Sequence, residues 1–345
     1  MAAEKADTAA NEQRPTQKTI ARITGLAVAT VSRALADAPD IGAATKRRVR
    51  EVAQEIGYRP DRAGVRLRTG KTNVISLVLS ADRDMTNHTG WLISSIAGAL
   101  RNTPYHLNVT PYFTSEDPMD PVRYIVETRS ADAVILNQTT PQDPRVAYLM
   151  QHNFPFATHG RTDWCDDHPY FDFDNQAFAA HAVTELVTRG RKNILLVLPP
   201  LAQNYARNLK KGACNTAQKS GTSVAILNGA TSDDPWSVVQ AAVAADLSAD
   251  PSIDAIICSS TNSAMAAATA AEIAGKTLGA DLGLAAKETI PVLKQFRSPI
   301  ITHHEDVTKA GVFLAQAAIQ RIAKPNAPPM QALDVMGEND NLSDR

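Results

Sequence analysis

The chain has 345 residues, a formal net charge of −1 at pH 7 and 44% hydrophobic residues, more than one average domain and enough apolar side chain for a sizeable core. No run of 18 or so apolar residues occurs, so no transmembrane helix is expected. The three cysteines, Cys165, Cys214 and Cys258, are widely spaced and lack a CxxC pattern, so they read as reduced thiols rather than a metal site.

Met1 to Pro15 is rich in Ala, Glu, Asp and Asn and has no apolar h-region. It reads as a disordered tail rather than a signal peptide. Thr19 to Leu35 then reads as two short helices. Ile20 and Ile23 share a face of the first, and Val28, Val31 and Leu35 share a face of the second. Gly25 falls at the reversal, where the left-handed conformation is needed. Two such helices make a helix-turn-helix, whose second helix lies in the DNA major groove. A plain helical hairpin has the same pattern, and the charge distribution speaks against it. A third helix is predicted from Thr45 to Ile56, ended by Gly57, with Lys46, Arg47, Arg48 and Arg50 in its first half. From Lys18 to Lys71 there are twelve Lys/Arg against five Asp/Glu, a net +7, which leaves −8 for the rest of the chain. A basic head on an acidic body is the footprint of phosphate binding.

Pro60 stops the third helix, and Asp61 can cap a short helix through Leu67. Beyond Lys71 apolar strands alternate with helices. Strands are predicted at 74–79, 106–112, 132–136, 154–158, 193–198, 223–227 and 255–258. Helices are predicted at 91–100, 122–128, 177–189, 206–218, 236–247 and 263–274. Continuous apolar strands between helices imply a parallel sheet covered on both faces. Two such runs, divided near Asp174, imply two doubly wound lobes with a ligand cleft outside the carboxyl ends of their strands. No GxSxG, Walker loop or Rossmann glycine fingerprint is present, so no enzyme is expected and no cofactor is implied.

Thr30-Val31-Ser32-Arg33, the Tyr58-x-Pro60 step and the Arg66-Leu67-Arg68-Thr69-Gly70-Lys71 exit together resemble the lactose repressor/galactose repressor (LacI/GalR) family of bacterial transcription regulators. The likeness runs more weakly from Thr72 to about Met336. It implies an α/β protein: an all-α helix-turn-helix head plus a two-lobed, periplasmic-binding-protein-like core of doubly wound parallel sheets. The expected boundaries are a tail at 1–17, the head at 18–60, a hinge helix and linker at 61–72, and the core at 73–345. Lobe 1 would hold 73–173 and 303–329, and lobe 2 would hold 174–302 and 330–338, with the last strand near Ala332 to Met336 in lobe 2.

By the family pattern Val28, Ala29 and Arg33 face base edges, Arg33 offering a donor fork that suits guanine or, alternatively, a phosphate. Thr19, Thr30 and Ser32 would bind phosphates, with Tyr58, Arg62 and Arg66 completing the DNA-binding set. Leu67 would wedge into the minor groove beside its twofold mate, or else pack on the body. Ala27 and Gly42 stand where the family usually has capping serines, and alanine cannot cap.

The resemblance also implies a cleft for a sugar or sugar derivative. Asp174 would accept from sugar hydroxyls, or equally cap the helix that follows it. Arg161 follows a strand end and would face the cleft. Arg207 lies where the family supplies a sugar-binding arginine, although the usual position is Leu209 here. Ser260-Thr261 replaces an Asn/Ser-Asp step. Lys287 stands near a lost aspartate, which points to a ligand with negative charge or to a surface lysine. His303-His304-Glu305-Asp306 reads as a loop and helix start rather than a metal site.

The expected protein is a cytoplasmic homodimer that represses a carbohydrate-use operon, binds a pseudo-palindromic operator and answers to a small-molecule effector. A regulator with a vestigial pocket answering to a protein partner, and a solute-binding protein, are the alternatives.

Overall fold

The computed structural model describes residues 15–58, 66, 70–81, 88–113, 115–295 and 299–335. The chain forms two compact units, Met1–Thr72 and Asn73–Arg345.

In the first unit α1 (Gln17–Thr24), α2 (Val28–Leu35) and α3 (Ala43–Glu55) enclose a small core. Thr16 and Thr19 cap α1 reciprocally, each backbone N–H donating to the other's hydroxyl at 3.1 and 3.4 Å. Gly25 ends α1 at φ +72°, a conformation that glycine adopts without steric cost. Ile20, Val31, Ala34 and Val49 are fully buried. Ile23 and Val28 are not: both are exposed, so the apolar faces expected of them are narrower. In eight-residue helices only one row of side chains meets the neighbours, here Ile20 with Thr24 and Val31 with Ala34. Ala27 and Gly42 make no side-chain cap, which for Ala27 costs α2 about 1 kcal/mol against serine.

In the second unit the strands are β1 (Val74–Ser80), β2 (His106–Tyr112), β3 (Ala133–Leu136), β4 (Phe156–His159), β5 (Tyr170–Phe173), β6 (Asn193–Val197), β7 (Ser223–Ile226), β8 (Ala255–Cys258), β9 (Gly283–Glu288), β10 (Ile300–His304) and β11 (Gln331–Asp334). The helices are α4 (Gly90–Ala99), α5 (Met119–Thr128), α6 (Pro144–Gln151), α7 (Asn175–Thr188), α8 (Asn204–Ser220), α9 (Trp236–Ala249), α10 (Thr261–Ile273) and α11 (Val307–Ala323). One parallel sheet has the order β11-β5-β4-β3-β1-β2 and the other β10-β9-β8-β6-β7. Helices cover both faces of each. Leu92, Ile96 and Leu314 pack on one face of the first sheet, and Val122 and Leu149 on the other. Val239, Val243 and Ala267 cover one face of the second, and Phe178 and Leu209 the other.

Among the described residues the chain crosses between the lobes after β5 and after β10. β11 pairs with β5 of the first sheet, Gln331 against Tyr170 and Asp334 against Phe173. This corrects the expectation that the last strand returns to the second lobe. The physical reason is local: α11 lies on the first sheet, and the free edge beside β5 is the nearest place for the chain to pair.

Three elements were not expected from the sequence. α6 begins at Pro144, capped by Asp143, in a stretch whose prolines suggest a loop. β5 is four residues long and carries Asp172 among its aromatic residues. β9 contains Ala, Lys and Glu, residues with weak strand preference, yet every position is buried. Within the second lobe α7 and α8 cross very closely at Gly212, where an added Cβ would stand 2.1 Å from the Gln176 carbonyl oxygen.

Candidate functional site

Two surfaces carry the chemistry. On the head, Val28 is 41% exposed, Ala29 and Arg33 are exposed, and Thr30 and Ser32 are half-buried. Arg33 forms an ion pair with Asp40, both largely in solvent. Arg47, Arg48 and Arg50 are exposed along α3, and Arg50 and Lys46 both hold Asp37, the first at 2.6 Å and the second at 3.2 Å. Hydrogen bonds from these two cations lower the Asp37 pKa. Tyr58 packs against the head core, so its ring is a structural element first. Thr19 spends its hydroxyl on the α1 cap. Arg66 is exposed. Arg62 and Leu67 lie outside the described residues, as does the hinge helix expected at 61–67.

The second surface is the cleft at the carboxyl ends of the strands. Its first-lobe wall comes from the turn after β3 and the end of β4, which present Asn137, Gln138, His159 and Arg161. A buried pair shapes this wall: Arg145 binds Asp143 at 2.7 Å and donates to the Asn137 and Gln138 carbonyls at 3.2 and 3.1 Å. The second-lobe wall comes from helix starts and strand ends: Asn175, Gln203, Tyr205, Asp233, Ser259 and Ser260.

On the cleft floor Lys287 Nζ lies 2.6 Å from Glu305 Oε2 and donates to Asn175 Oδ1 at 3.1 Å. The ammonium also sits 4.2 Å from the Tyr205 ring centroid and 5.1 Å from that of Phe173. Both ionised groups are buried. Burial opposes the charge on each, and mutual attraction outweighs it, holding Glu305 well below the usual carboxylate range and Lys287 above the usual lysine range. Tyr205 donates its hydroxyl to the Ser259 carbonyl at 2.5 Å. Arg161 Nε binds Asp172 at 2.7 Å, and burial, only partly offset by Arg161, raises the Asp172 pKa. His159 stacks on His88 with centroids 5.1 Å apart; burial and the His88 charge push its pKa down to about 3.

The lobes also touch each other directly. The Asn204 backbone N–H donates to the Thr139 carbonyl and its side chain to the Arg161 carbonyl, each at 2.9 Å. Arg207 pairs with Asp163 at 2.9 Å.

These positions revise several expectations. Arg161 and Ser260 line the cleft, and Ser260 also caps α10. Asp174 caps α7 by accepting from Ala177 N–H at 3.0 Å and is not on the cleft wall; its neighbour Asn175 is. Arg207 is bound to Asp163 and does not line the cleft. Lys287 does line it, but neither as a surface lysine nor as a free cation. Among the described residues His88, His159 and Glu305 bring one ligand atom each within 4.8 Å of one another. The carboxylate there is committed to Lys287, so the trio reads as a hydrogen-bonding cluster rather than a cation cage. Sequence reasoning missed His88, His159, Asp172, Gln203 and Tyr205. The available signal was a polar residue inside or just after an apolar strand, as at Asp172 and His159.

Residues 16–61 match the family described as bacterial regulatory proteins, lacI family. Residues 92–322 match periplasmic binding proteins and the sugar binding domain of the LacI family. The chain is 32% identical over 206 residues to the HTH-type transcriptional regulator RafR of Escherichia coli, covering 59% of this chain and 61% of that one. It is 32% identical over 207 residues to the HTH-type transcriptional regulator AglR of Rhizobium meliloti, covering 59% and 58%. The alignments thus span about three fifths of these relatives. In fold it is similar to the Lac repressor dimer bound to operator and the anti-inducer ONPF, with a TM-score of 0.79 at 18% identity over 94% of this chain and 97% of that one. It is also similar to a transcriptional regulator CelR–cellobiose complex, with a TM-score of 0.69 at 19% identity over 94% and 98%.

Proposed function

This chain belongs to the LacI family of bacterial regulatory proteins, and from that premise we propose that it represses a carbohydrate-use operon under the control of a sugar or sugar derivative held in the interlobe cleft. The family is one of regulators, not enzymes. The observation that carries the reading is the joining, in one chain, of a basic three-helix head to a polar cleft at the strand ends of two doubly wound lobes. Val28, Ala29 and Arg33 meet base edges, and Thr30 and Ser32 meet phosphates, while the Thr19 hydroxyl is held in the α1 cap. Tyr58 supports the head, with Arg62 and Arg66 binding phosphates beyond it. Leu67 is assigned as the minor-groove wedge on the family motif alone. In the cleft Arg161, Asn175, Gln203, Ser260 and Asp233 offer the donors and acceptors that ring hydroxyls need.

The protein acts as a homodimer on a pseudo-palindromic operator, since twofold symmetry in the protein matches twofold symmetry in the site. It works in the cytoplasm, where the chromosome is. No described helix is long and apolar enough to cross a membrane.

The test is fluorescence anisotropy with the full chain on operators selected from a random DNA pool. Affinity should fall steeply between roughly 50 and 200 mM salt, because phosphate contacts release counterions. It should also change on adding sugars such as cellobiose or maltose. A flat salt dependence overturns the DNA-binding reading, and indifference to every sugar overturns the effector reading.

A further inference from the structure

We infer that the cleft selects uncharged, polyhydroxylated ligands over sugar acids and sugar phosphates, and that Glu305 sets this selectivity by occupying Lys287. The inference rests on the reading of the cleft as a sugar site and goes beyond it by naming the charge class.

Among the described residues the cleft wall carries two Lys/Arg cations, Arg161 and Lys287. An anionic ligand would need at least one of them. Both are committed: Lys287 to Glu305 at 2.6 Å and Arg161 to Asp172 at 2.7 Å. A third carboxylate, Asp233, also lines the cleft and accepts from Gln203 at 3.1 Å. The lining therefore holds three carboxylates against two cations. An entering anion meets paired cations and surplus negative charge, and it also gives up its own hydration. A neutral sugar meets no charge repulsion and gives up a smaller hydration. The paired groups still present hydrogen-bonding atoms, and charged donors and acceptors bind hydroxyls strongly.

Helix N-termini are the other usual source of anion affinity. Three of the helices that start at this end of the sheets are capped by the protein itself: α7 by Asp174, α10 by Ser260 and α11 by Asp306. Each cap satisfies one N–H group, that of Ala177, Ser263 or Thr308, and α8, which starts at the cleft without a side-chain cap, gives its Asn204 N–H to the Thr139 carbonyl.

The pair is asymmetric in a way that makes Glu305 decisive. Lys287 is on β9, enclosed by Asn175, Phe173 and Tyr205. Glu305 follows β10 and supplies its counter-charge. Without that carboxylate a buried ammonium faces the cleft unpaired, a strongly unfavourable state that a ligand anion would relieve.

The experiment measures binding of the full chain by calorimetry to matched pairs, D-glucose with D-glucuronate and D-galactose with D-galacturonate, together with cellobiose, maltose and glucose 6-phosphate. The wild type should bind at least one neutral sugar, with its acid or phosphate at least tenfold weaker. Glu305→Gln should melt at a lower temperature when unliganded, recover on adding uronate, and shift the acid-to-neutral affinity ratio at least tenfold toward the acid. The double variant Lys287→Met/Glu305→Gln removes both charges and should keep the wild-type preference; it and the wild-type panel decide the matter where Glu305→Gln fails to fold. Equal wild-type affinity for acid and neutral partner overturns the charge inference alone. So does a folded Glu305→Gln whose ratio is unchanged, or a double variant that favours acids. Binding of neither class by the wild type overturns the sugar reading, and this inference with it.

Discussion

Arg207 on α8 and Asp163 beyond β4 meet at 2.9 Å, an ion pair that ties the second lobe to the first outside the cleft lining. Both side chains are substantially exposed, so the pair contributes less than about 1 kcal/mol to stability. Its influence is on lobe separation, because a state with the lobes apart lacks it.

Arg207→Ala and Asp163→Ala should therefore each change effector affinity by roughly two- to fivefold, with the double variant no worse than either single one. Calorimetric titration of the three variants checks this. A hundredfold loss confined to Arg207→Ala would mean that the guanidinium touches the effector itself.

Asp174 and Asn175 are adjacent but should separate cleanly. Asp174→Ala removes the α7 cap and should cost about 1 kcal/mol in urea denaturation, with effector affinity within twofold of wild type. Asn175→Ala removes a cleft wall residue and a Lys287 acceptor, so it should weaken effector binding several-fold. The reverse pattern would return Asp174 to the ligand.

His159 should make the effector domain acid-sensitive. Its folded pKa is pushed down to about 3 from an ordinary 6.5, with His88, Glu305 and Lys287 as its charged neighbours. Between those values the unfolded chain binds a proton that the folded one does not. Stability is thus full above about pH 6.5 and falls as the pH drops, by up to about 1.4 kcal/mol per unit. His159→Gln should flatten the melting temperature between pH 7 and pH 5. An unchanged slope would clear His159 of the effect.

On the head, Asp40→Ala frees Arg33 from its ion pair and should tighten DNA binding two- to fivefold at low salt. Arg33→Ala should weaken operator binding roughly ten- to hundredfold and relax the preference at one base pair per half-site. A uniform loss on every sequence would make Arg33 a phosphate clamp.

The layered fold was legible because long apolar strands and amphipathic helices announce themselves by period, as at β1, β6 and α8. β9 was not, since Ala285, Ala286 and Lys287 carry no strand signature and are held there by strands on both sides. The same residue shows why the cleft was only half legible. A lone lysine in sequence says nothing of a glutamate eighteen positions later, and pairing of Lys287 with Glu305 depends on β10 lying beside β9. Arg161 could be placed because it follows a strand end, where parallel sheets present their ligands. Asp174 had two readings from sequence, and only the hydrogen bond to Ala177 chose between them.

The close crossing of α7 and α8 has a consequence at a distance. Gly212 lies about 12 Å along α8 from Asn204 and is not part of the cleft lining. Yet it sets how near the two helices stand, and their first turns carry Asn175 and Tyr205, which flank Lys287. A methyl group there would act as a wedge and prise apart the cleft's own furniture. Variation in effector preference can thus arise from a buried position that no inventory of cleft residues would include.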